Sequence, residues 1–333
     1  MTAFPAGTIL GYPRIGRRRE LKKAVEAFWA GRIDEKQLET AAAELRAANR
    51  ERLAELGLGR DDSSIPESSS FYDQVLDAAV TVGAIPARFE DLRDEDGSIG
   101  LPAYFTVARG EGDRAPAEMT KWFDSNYHYL VPEIGPETVF SFSSDRLVRE
   151  VVEAAEAGFR TRPVIVGPVT LLALAKASDV APEGFDPLSR LDDVVAVYAE
   201  LLAKLKAAGA EWVQLDEPAL VSESLPATTG QLADAAQRAL AALGGSTERP
   251  SILVAAPYAS LDETLAVLAA APVEAIAIDL VRGAVPASLP DLAGKTIVGG
   301  VIDGHNIWRG DLAGAFDKLE ALRALGAPAV SAS

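Results

Sequence analysis

The sequence predicts an α/β fold, a (β/α)8 TIM barrel with a long helical insertion after its first strand. Three observations carry that expectation. Short, β-branched apolar runs recur without polar alternation, as in parallel strands buried on both faces. Amphipathic stretches of helical period separate them. No Gly-rich dinucleotide turn follows the first run, which disfavours the structural alternative, a doubly wound open sheet. The right-handed crossover rule leaves few other arrangements.

The eight expected strands are TILGYP (8–13), TVFSF (138–142), PVIVGP (163–168), WVQLDEP (212–218), ILVAAP (252–257), AIAIDL (275–280), TIVGGVI (296–302) and APAVSAS (327–333). Between them, residues 191–208 show the helical pattern plainly. Val194, Tyr198, Leu201, Leu202 and Leu205 form a stripe, and Gly209 stands where a C-terminal cap belongs. The insertion, residues 14–137, opens with two helices expected over 19–31 and 35–56. Asp34 is the N-cap of the second, Gln37 its capping-box partner and Gly57 its stop. A third helix is expected over 70–83. The last expected strand reaches Ser333, so the eighth helix is missing and the sequence reads as a single barrel domain, 1–333, cut from something longer.

Composition narrows function. Of 333 residues, 48% are apolar, enough for a sizeable core. Lys and Arg number 32 against 49 Asp and Glu, a net charge of -17, so nucleic acid and anionic membrane surfaces are poor partners. The absence of cysteine removes disulfides, thiol catalysis and thiolate metal sites, and only His128 and His305 offer imidazole. The amino-terminal residues have no apolar leader, so a soluble, cytoplasmic protein is expected.

Three segments carry candidate chemistry. In residues 14–23, six cations (Arg14, Arg17, Arg18, Arg19, Lys22, Lys23) surround one acid, Glu20. Such a basic knot on an acidic body suits a polyanion held by charge-assisted hydrogen bonds, or else a solvated helix start paired with nearby carboxylates. Cations at a helix N-terminus oppose its dipole, which favours the ligand reading. In EMTKWFDSNYHYLVPE (118–133), Lys121, Trp122, Asp124, Asn126, Tyr127 and His128 mix aromatic and polar groups that either line a pocket for a flat polar ligand or close one end of the barrel. In WVQLDEPAL, Asp216 and Glu217 end a strand, where barrel enzymes keep catalytic groups. Adjacent strand residues point to opposite faces, so one of the two faces the mouth while the other bonds backbone. Asp279 and Asp303 share the rim, and DGHNIWRGDL (303–312) adds Asn306, Trp308 and Arg309.

GYPRIGRRRELKKA, EMTKWFDSNYHYLVPE, GPVTLL, EWVQLDEPAL and GVIDGHNIWRGDL together, in order along nearly the whole chain, resemble the amino-terminal half of cobalamin-independent methionine synthase. The resemblance implies methyl transfer from 5-methyltetrahydropteroyltri-L-glutamate to L-homocysteine by two barrels facing each other across the active site. It implies that a carboxy-terminal barrel holds zinc through one histidine, two cysteines and a glutamate. It implies that this barrel binds no metal and contributes folate contacts through Arg19, Glu20, Leu21, Lys22 and Lys121. Arg14, Asn126, Tyr127, Asp216 and Glu217 are further rim candidates. His305 departs from the arginine that many members carry. The isolated chain is therefore expected to be inactive, with the carboxy-terminal barrel as its partner. Two other readings stand beside it: a self-sufficient barrel enzyme using Asp216, Asp279 or Asp303, and a purely structural docking domain.

Overall fold

A computed structural model describes residues 3–333. The chain enters extended, and Gly7 makes a parallel bridge to Ala332. Helices α1 (Glu20–Trp29) and α2 (Glu35–Glu55) form a hairpin. The expected capping box is present: Asp34 accepts from the Gln37 amide while the Gln37 side chain accepts from the Asp34 amide. Gly57, at φ 105, ends the turn beyond α2. Then come strand β1 (Pro66–Glu67) and helix α3 (Gln74–Thr81), capped by buried Asp73, which accepts from the amides of Val75 and Leu76. Helix α4 (Leu101–Arg109) leads into an antiparallel hairpin of β2 (Met119–Lys121) and β3 (His128–Leu130), followed by β4 (Glu133–Ile134) and helix α5 (Arg146–Glu156).

From here strands and helices alternate, except that β9 passes to β10 without a helix: β5 (Arg162–Val166), α6 (Pro168–Ala173), the short β6 (Lys176–Ala177), α7 (Leu191–Ala207), β7 (Trp212–Asp216), α8 (Thr229–Gly244), β8 (Ser251–Ala256), α9 (Thr264–Ala270), β9 (Ala275–Asp279), β10 (Thr296–Gly300), α10 (Leu312–Ala324) and β11 (Ala329–Ala332). The main sheet runs β1-β5-β7-β8-β9-β10-β11, with every neighbouring pair parallel. Among the described residues no helix is long and apolar enough to cross a membrane.

The two-residue period of a strand divides its side chains between two cores. Trp212, Leu253, Ala255, Ala275, Ala277 and Val298 point one way and pack with Phe4 and Leu10. Ile252, Val254, Ile276 and Ile297 point the other way, into the larger core that the helices cover. The α7 stripe of Val194, Tyr198, Leu201, Leu202 and Leu205 is fully buried there. Burying each such side chain contributes about 1.5–3 kcal/mol.

Two expected strands are corrected. Residues 8–13 form no regular strand; the edge contact is the Gly7 bridge, extended by the Thr8 amide donating to the Ala332 carbonyl at 2.9 Å. Residues 138–142 are an outer connector, not the second strand. The Ser141 amide bonds Val82 at the end of α3, and Val139 is exposed. The strand beside β5 is β1, which falls inside the stretch expected to be a helical insertion. Its identity rests on charge more than apolar pattern: buried Glu67 accepts from Arg50 at 2.8 Å.

Candidate functional site

Asp216 and Glu217 end β7 facing opposite ways, as strand alternation requires. Glu217 is fully buried, and its two carboxylate oxygens accept from the amides of Val169 (3.1 Å) and Thr170 (2.7 Å) at the start of α6. Burial pushes its carboxyl up to about 7, against the pull of those bonds. Asp216 faces the inner core. Gln214 Nε2 donates to Asp216 Oδ1 at 2.7 Å, and burial pushes the Asp216 carboxyl up to about 7, while Gln214 and the charge of Arg162 oppose the shift. Gln214 Nε2 also donates to the Leu10 carbonyl, and its Oε1 accepts from Arg162 Nε at 3.1 Å.

Arg162 is the hub of this buried network. Its guanidinium donates to Thr8 Oγ1 (3.0 Å), the Ser63 carbonyl (2.7 Å) and the Ile9 carbonyl (2.7 Å). Burial pulls its pKa down to about 10. The acids at the end of β9 and beyond β10 are likewise committed. Asp279 accepts from the amides of Tyr258, Val281 and Arg282, each at 2.8 Å, and Asp303 from the His305 amide and Asn306 Nδ2. Among the described residues, these strand ends therefore present no facing acid–base pair.

The β2–β3 hairpin is fastened across these loops. Trp122 Nε1 donates to the Tyr258 hydroxyl at 2.9 Å, and the Phe123 ring stacks on Tyr258 at 5.9 Å and 21°. Asp124 pairs with Arg282 at 3.3 Å, and Arg282 Nη2 lies 3.4 Å from His305 Nδ1. Phe123 (φ 41) and Tyr258 (φ 92) both hold positive φ, a strained backbone for aromatic residues and a common mark of functional segments. A cavity of about 300 Å³ lies at these strand ends, lined by Leu10, Gly11, Tyr258, Asp279, Arg282 and His305 among others. Lys121, Asn126, Tyr127 and His128 are exposed on the hairpin.

The basic segment divides. Arg14 is engaged with the carbonyls of Phe71 (3.1 Å) and Tyr72, and Leu21 is buried in the helical core. Glu20 turns back onto the Arg18 amide at 2.9 Å, which holds its carboxyl below the usual range. Arg17, Arg18, Arg19, Lys22 and Lys23 are exposed, with Arg19 itself at φ 62. Lys22 pairs only with Glu26, at 3.7 Å, and among the described residues Arg17, Arg18, Arg19, Lys23 and Lys121 have no ion pair. No hydrogen bond or ion pair among the described residues joins Lys121 to the 14–23 segment. Sequence reasoning missed Tyr258, Arg282 and Arg162. Tyr258 lies two residues past the end of β8, and Arg162 is a charge opening an apolar run, which are the signals that mark them.

A family model described as "Cobalamin-independent synthase, N-terminal domain" matches residues 6–327. The chain belongs to that family. It is 51% identical over 316 residues to the 5-methyltetrahydropteroyltriglutamate–homocysteine methyltransferase of Streptomyces avermitilis, covering 93% of this chain and 40% of the relative. The protein of the same name from Mycobacterium tuberculosis (strain ATCC 25177 / H37Ra) is 49% identical over 317 residues, covering 95% and 40%. The chain thus spans about 40% of the length of these relatives. Among solved structures, a putative vitamin-B12 independent methionine synthase from Listeria monocytogenes aligns with a TM-score of 0.65 at 13% identity, over 100% of this chain and 91% of that one. A B12-independent methionine synthase from Shewanella sp. W3-18-1, in complex with selenomethionine, aligns at 0.61 and 15%, over 90% and 82%. At such identities these two neighbours speak for the fold alone.

The zinc set that the family resemblance implies for a carboxy-terminal barrel does not fit this chain. It needs two cysteines where the chain has none, and among the described residues no group of three or more His, Asp or Glu is placed to hold a metal ion.

Proposed function

We propose that this chain acts as the amino-terminal barrel of a cobalamin-independent methionine synthase, gripping the glutamyl tail of 5-methyltetrahydropteroyltri-L-glutamate while a second barrel transfers the methyl group to L-homocysteine. In this reading the parallel sheet closes into a barrel, with residues 6–9 as its eighth stave. The support is at both edges: Gly7 bridges Ala332 of β11, and Thr8 Oγ1 donates to the Ser64 carbonyl just before β1. Arg162 bonds Thr8, Ile9 and Ser63 together.

One observation carries the ligand assignment. On a chain of net charge -17, the exposed cations Arg17, Arg18, Arg19 and Lys23 have no carboxylate partner among the described residues, and Lys22 has there only a long contact to Glu26. A triglutamate tail offers carboxylates spaced along a flexible chain, and charge-assisted bonds to such groups are strong yet screened by salt. Lys121, on the strained hairpin, is a further contact in this reading. Zinc, held in the other barrel, would lower the pKa of the homocysteine thiol; this chain's residues bind and orient the tail. A self-sufficient enzyme is disfavoured, because Asp216 is bonded by Gln214, Asp279 by three backbone amides, and Asp303 by the His305 amide and Asn306.

Calorimetry with the triglutamate and monoglutamate forms tests the assignment. The expected result is tighter, salt-sensitive binding of the triglutamate that weakens by about tenfold or more in an Arg19→Ala, Lys22→Ala, Lys121→Ala triple variant. Equal affinity of wild type and triple variant rejects it.

A further inference from the structure

Helices α2 and α5 are joined by ion pairs and enclose a second cavity of about 300 Å³, which shares no residue with the one at the strand ends. Lys36, Thr40 and Ala43 line it from one face of α2, at i, i+4 and i+7. Arg146, Glu150 and Glu153 line it at the same spacing from α5. Phe71 and Leu101 supply an apolar wall, with the Arg146 guanidinium 5.6 Å from the Phe71 ring centre.

The charges around this cavity do not balance. Three arginines, Arg46, Arg50 and Arg146, meet four carboxylates, those of Asp77, Glu67, Glu150 and Glu153. Three of the acids have a close partner each: Glu67 accepts from Arg50 at 2.8 Å, Glu153 from Arg46 at 2.6 Å, and Asp77 pairs with Arg146 at 2.7 Å. Glu150 is the one left over. It is 3% exposed, and its Oε1 has long contacts, 3.4 Å to Arg46 and 3.7 Å to Arg146. Its Oε2 has no hydrogen-bond partner among the described residues. A buried carboxylate is costly unless a donor meets it, and a cationic donor meets it most strongly. Burial pushes the Glu150 carboxyl up, against the pull of Arg146 and Arg46, as expected of an acid one cation short. Beside it, Arg146 Nη1 has long contacts of its own, 3.5 Å to the Ser69 carbonyl and 3.7 Å to Glu150 Oε1, so it keeps donor capacity for an anion.

We propose that this cavity binds a free α-amino acid with an apolar side chain: its ammonium on Glu150 Oε2, its carboxylate on Arg146 Nη1, its side chain against Phe71, Leu101 and Ala43. A zwitterion adds no net charge to the cluster yet meets both groups, and a single α-carbon carries its two charges close together, as the Glu150–Arg146 contact requires. An inorganic anion would leave Glu150 unmet, and a metal ion would face the Arg46 and Arg146 guanidiniums. The volume is at the small end of the range for ligand pockets, in keeping with one amino acid. The inference does not rest on the folate reading, since no lining residue lies in 14–23 or 119–130.

Calorimetry of this chain with L-leucine and L-methionine, each beside its N-acetyl and its amide form, is the test. Saturable binding at or below about 1 mM is expected for the free amino acids, weakened by about tenfold or more when either end is capped. Glu150→Gln keeps the side-chain volume but removes the negative charge, and should weaken binding by a similar factor. Ala43→Leu fills the cavity from α2 without touching a charge and should block binding; it decides alone if Glu150→Gln does not fold. The absence of saturable binding for both free amino acids overturns the proposal, and so do equal affinities for the capped forms or wild-type affinity in the folded variants. Binding of inorganic phosphate in their place also overturns it, as an anion site of the arginines alone.

Discussion

Gly167 stands directly against the Glu217 carboxylate: a Cβ added at Gly167 would lie 2.2 Å from the Glu217 carboxyl carbon. The requirement is space and not backbone freedom, since Gly167 has φ -70. With only hydrogen there, Glu217 reaches the amides of Val169 and Thr170 and fixes the start of α6 against the end of β7. Gly167→Ala is therefore expected to destabilise the fold by about 1–3 kcal/mol in urea denaturation. The cost should shrink in a Glu217→Ala background, giving a coupling of about 1 kcal/mol or more, whereas additive effects would refute the contact.

The neighbouring acid sets a pH dependence. Burial pushes the Asp216 carboxyl up to about 7 from an ordinary value of 3.8. A raised acid pKa means that the folded state holds its proton more tightly than the unfolded chain. The resulting stability is full below the unfolded pKa and is lost as pH rises through the folded one. Asp216→Asn removes this titration and keeps an oxygen for Gln214. Stability of the variant relative to wild type should rise by more than about 1 kcal/mol between pH ~4 and ~7.5, then level off. Parallel urea midpoints across that window would exclude the shift.

Arg162 should matter more than any single apolar residue near it. Its guanidinium bonds Thr8, Ile9, Ser63 and Gln214, and Arg162→Met leaves those oxygens buried without donors. A loss of about 3–5 kcal/mol is expected, in the range for breaking a buried charged network. The local signature is faster amide exchange at Thr8 and Ala332, whose bonds fasten the amino-terminal segment to β11. Uniform acceleration across the whole sheet would instead mark a merely global effect.

The strands β5, β7, β8, β9 and β10 of the main sheet were legible because each is a largely buried apolar run, and β11 shares that composition although Ala329 is exposed. Strand β1 was not, since Pro66–Glu67 is two residues long and is held by the Arg50 ion pair and by pairing with Arg162. Residues 138–142 have the composition of a strand, but the Ser141 amide goes to Val82 just past α3, a choice made by tertiary contacts and invisible to pattern. That Asp216 and Glu217 face opposite ways followed from strand alternation; which of them bonds backbone amides did not. The burial of Leu21 and the engagement of Arg14 did not, because both depend on where α1 lands against the 70–72 loop and the helical core. Tyr258 escaped notice because its role is a partner for Trp122, more than a hundred residues away in sequence.

That partnership gives the most direct link between packing and the proposed ligand grip. Trp122 is buried, and its indole N–H donates to the Tyr258 hydroxyl at 2.9 Å, while Asp279 holds the Tyr258 amide in its positive-φ turn. Tyr258→Phe keeps the stack on Phe123 but leaves a buried N–H without an acceptor, a loss of about 1–3 kcal/mol. The hairpin bearing Lys121 should loosen first, because this bond and the Asp124–Arg282 pair tie it to the strand ends. Triglutamate affinity is then expected to fall by about threefold to tenfold although no charge is removed, with the salt slope unchanged because every cation remains. Arg19→Ala should instead lower both affinity and salt slope. Calorimetry at three salt concentrations separates the two, and a Tyr258→Phe protein that binds like wild type while exchanging faster at 119–130 would show that the hairpin takes no part in holding the tail.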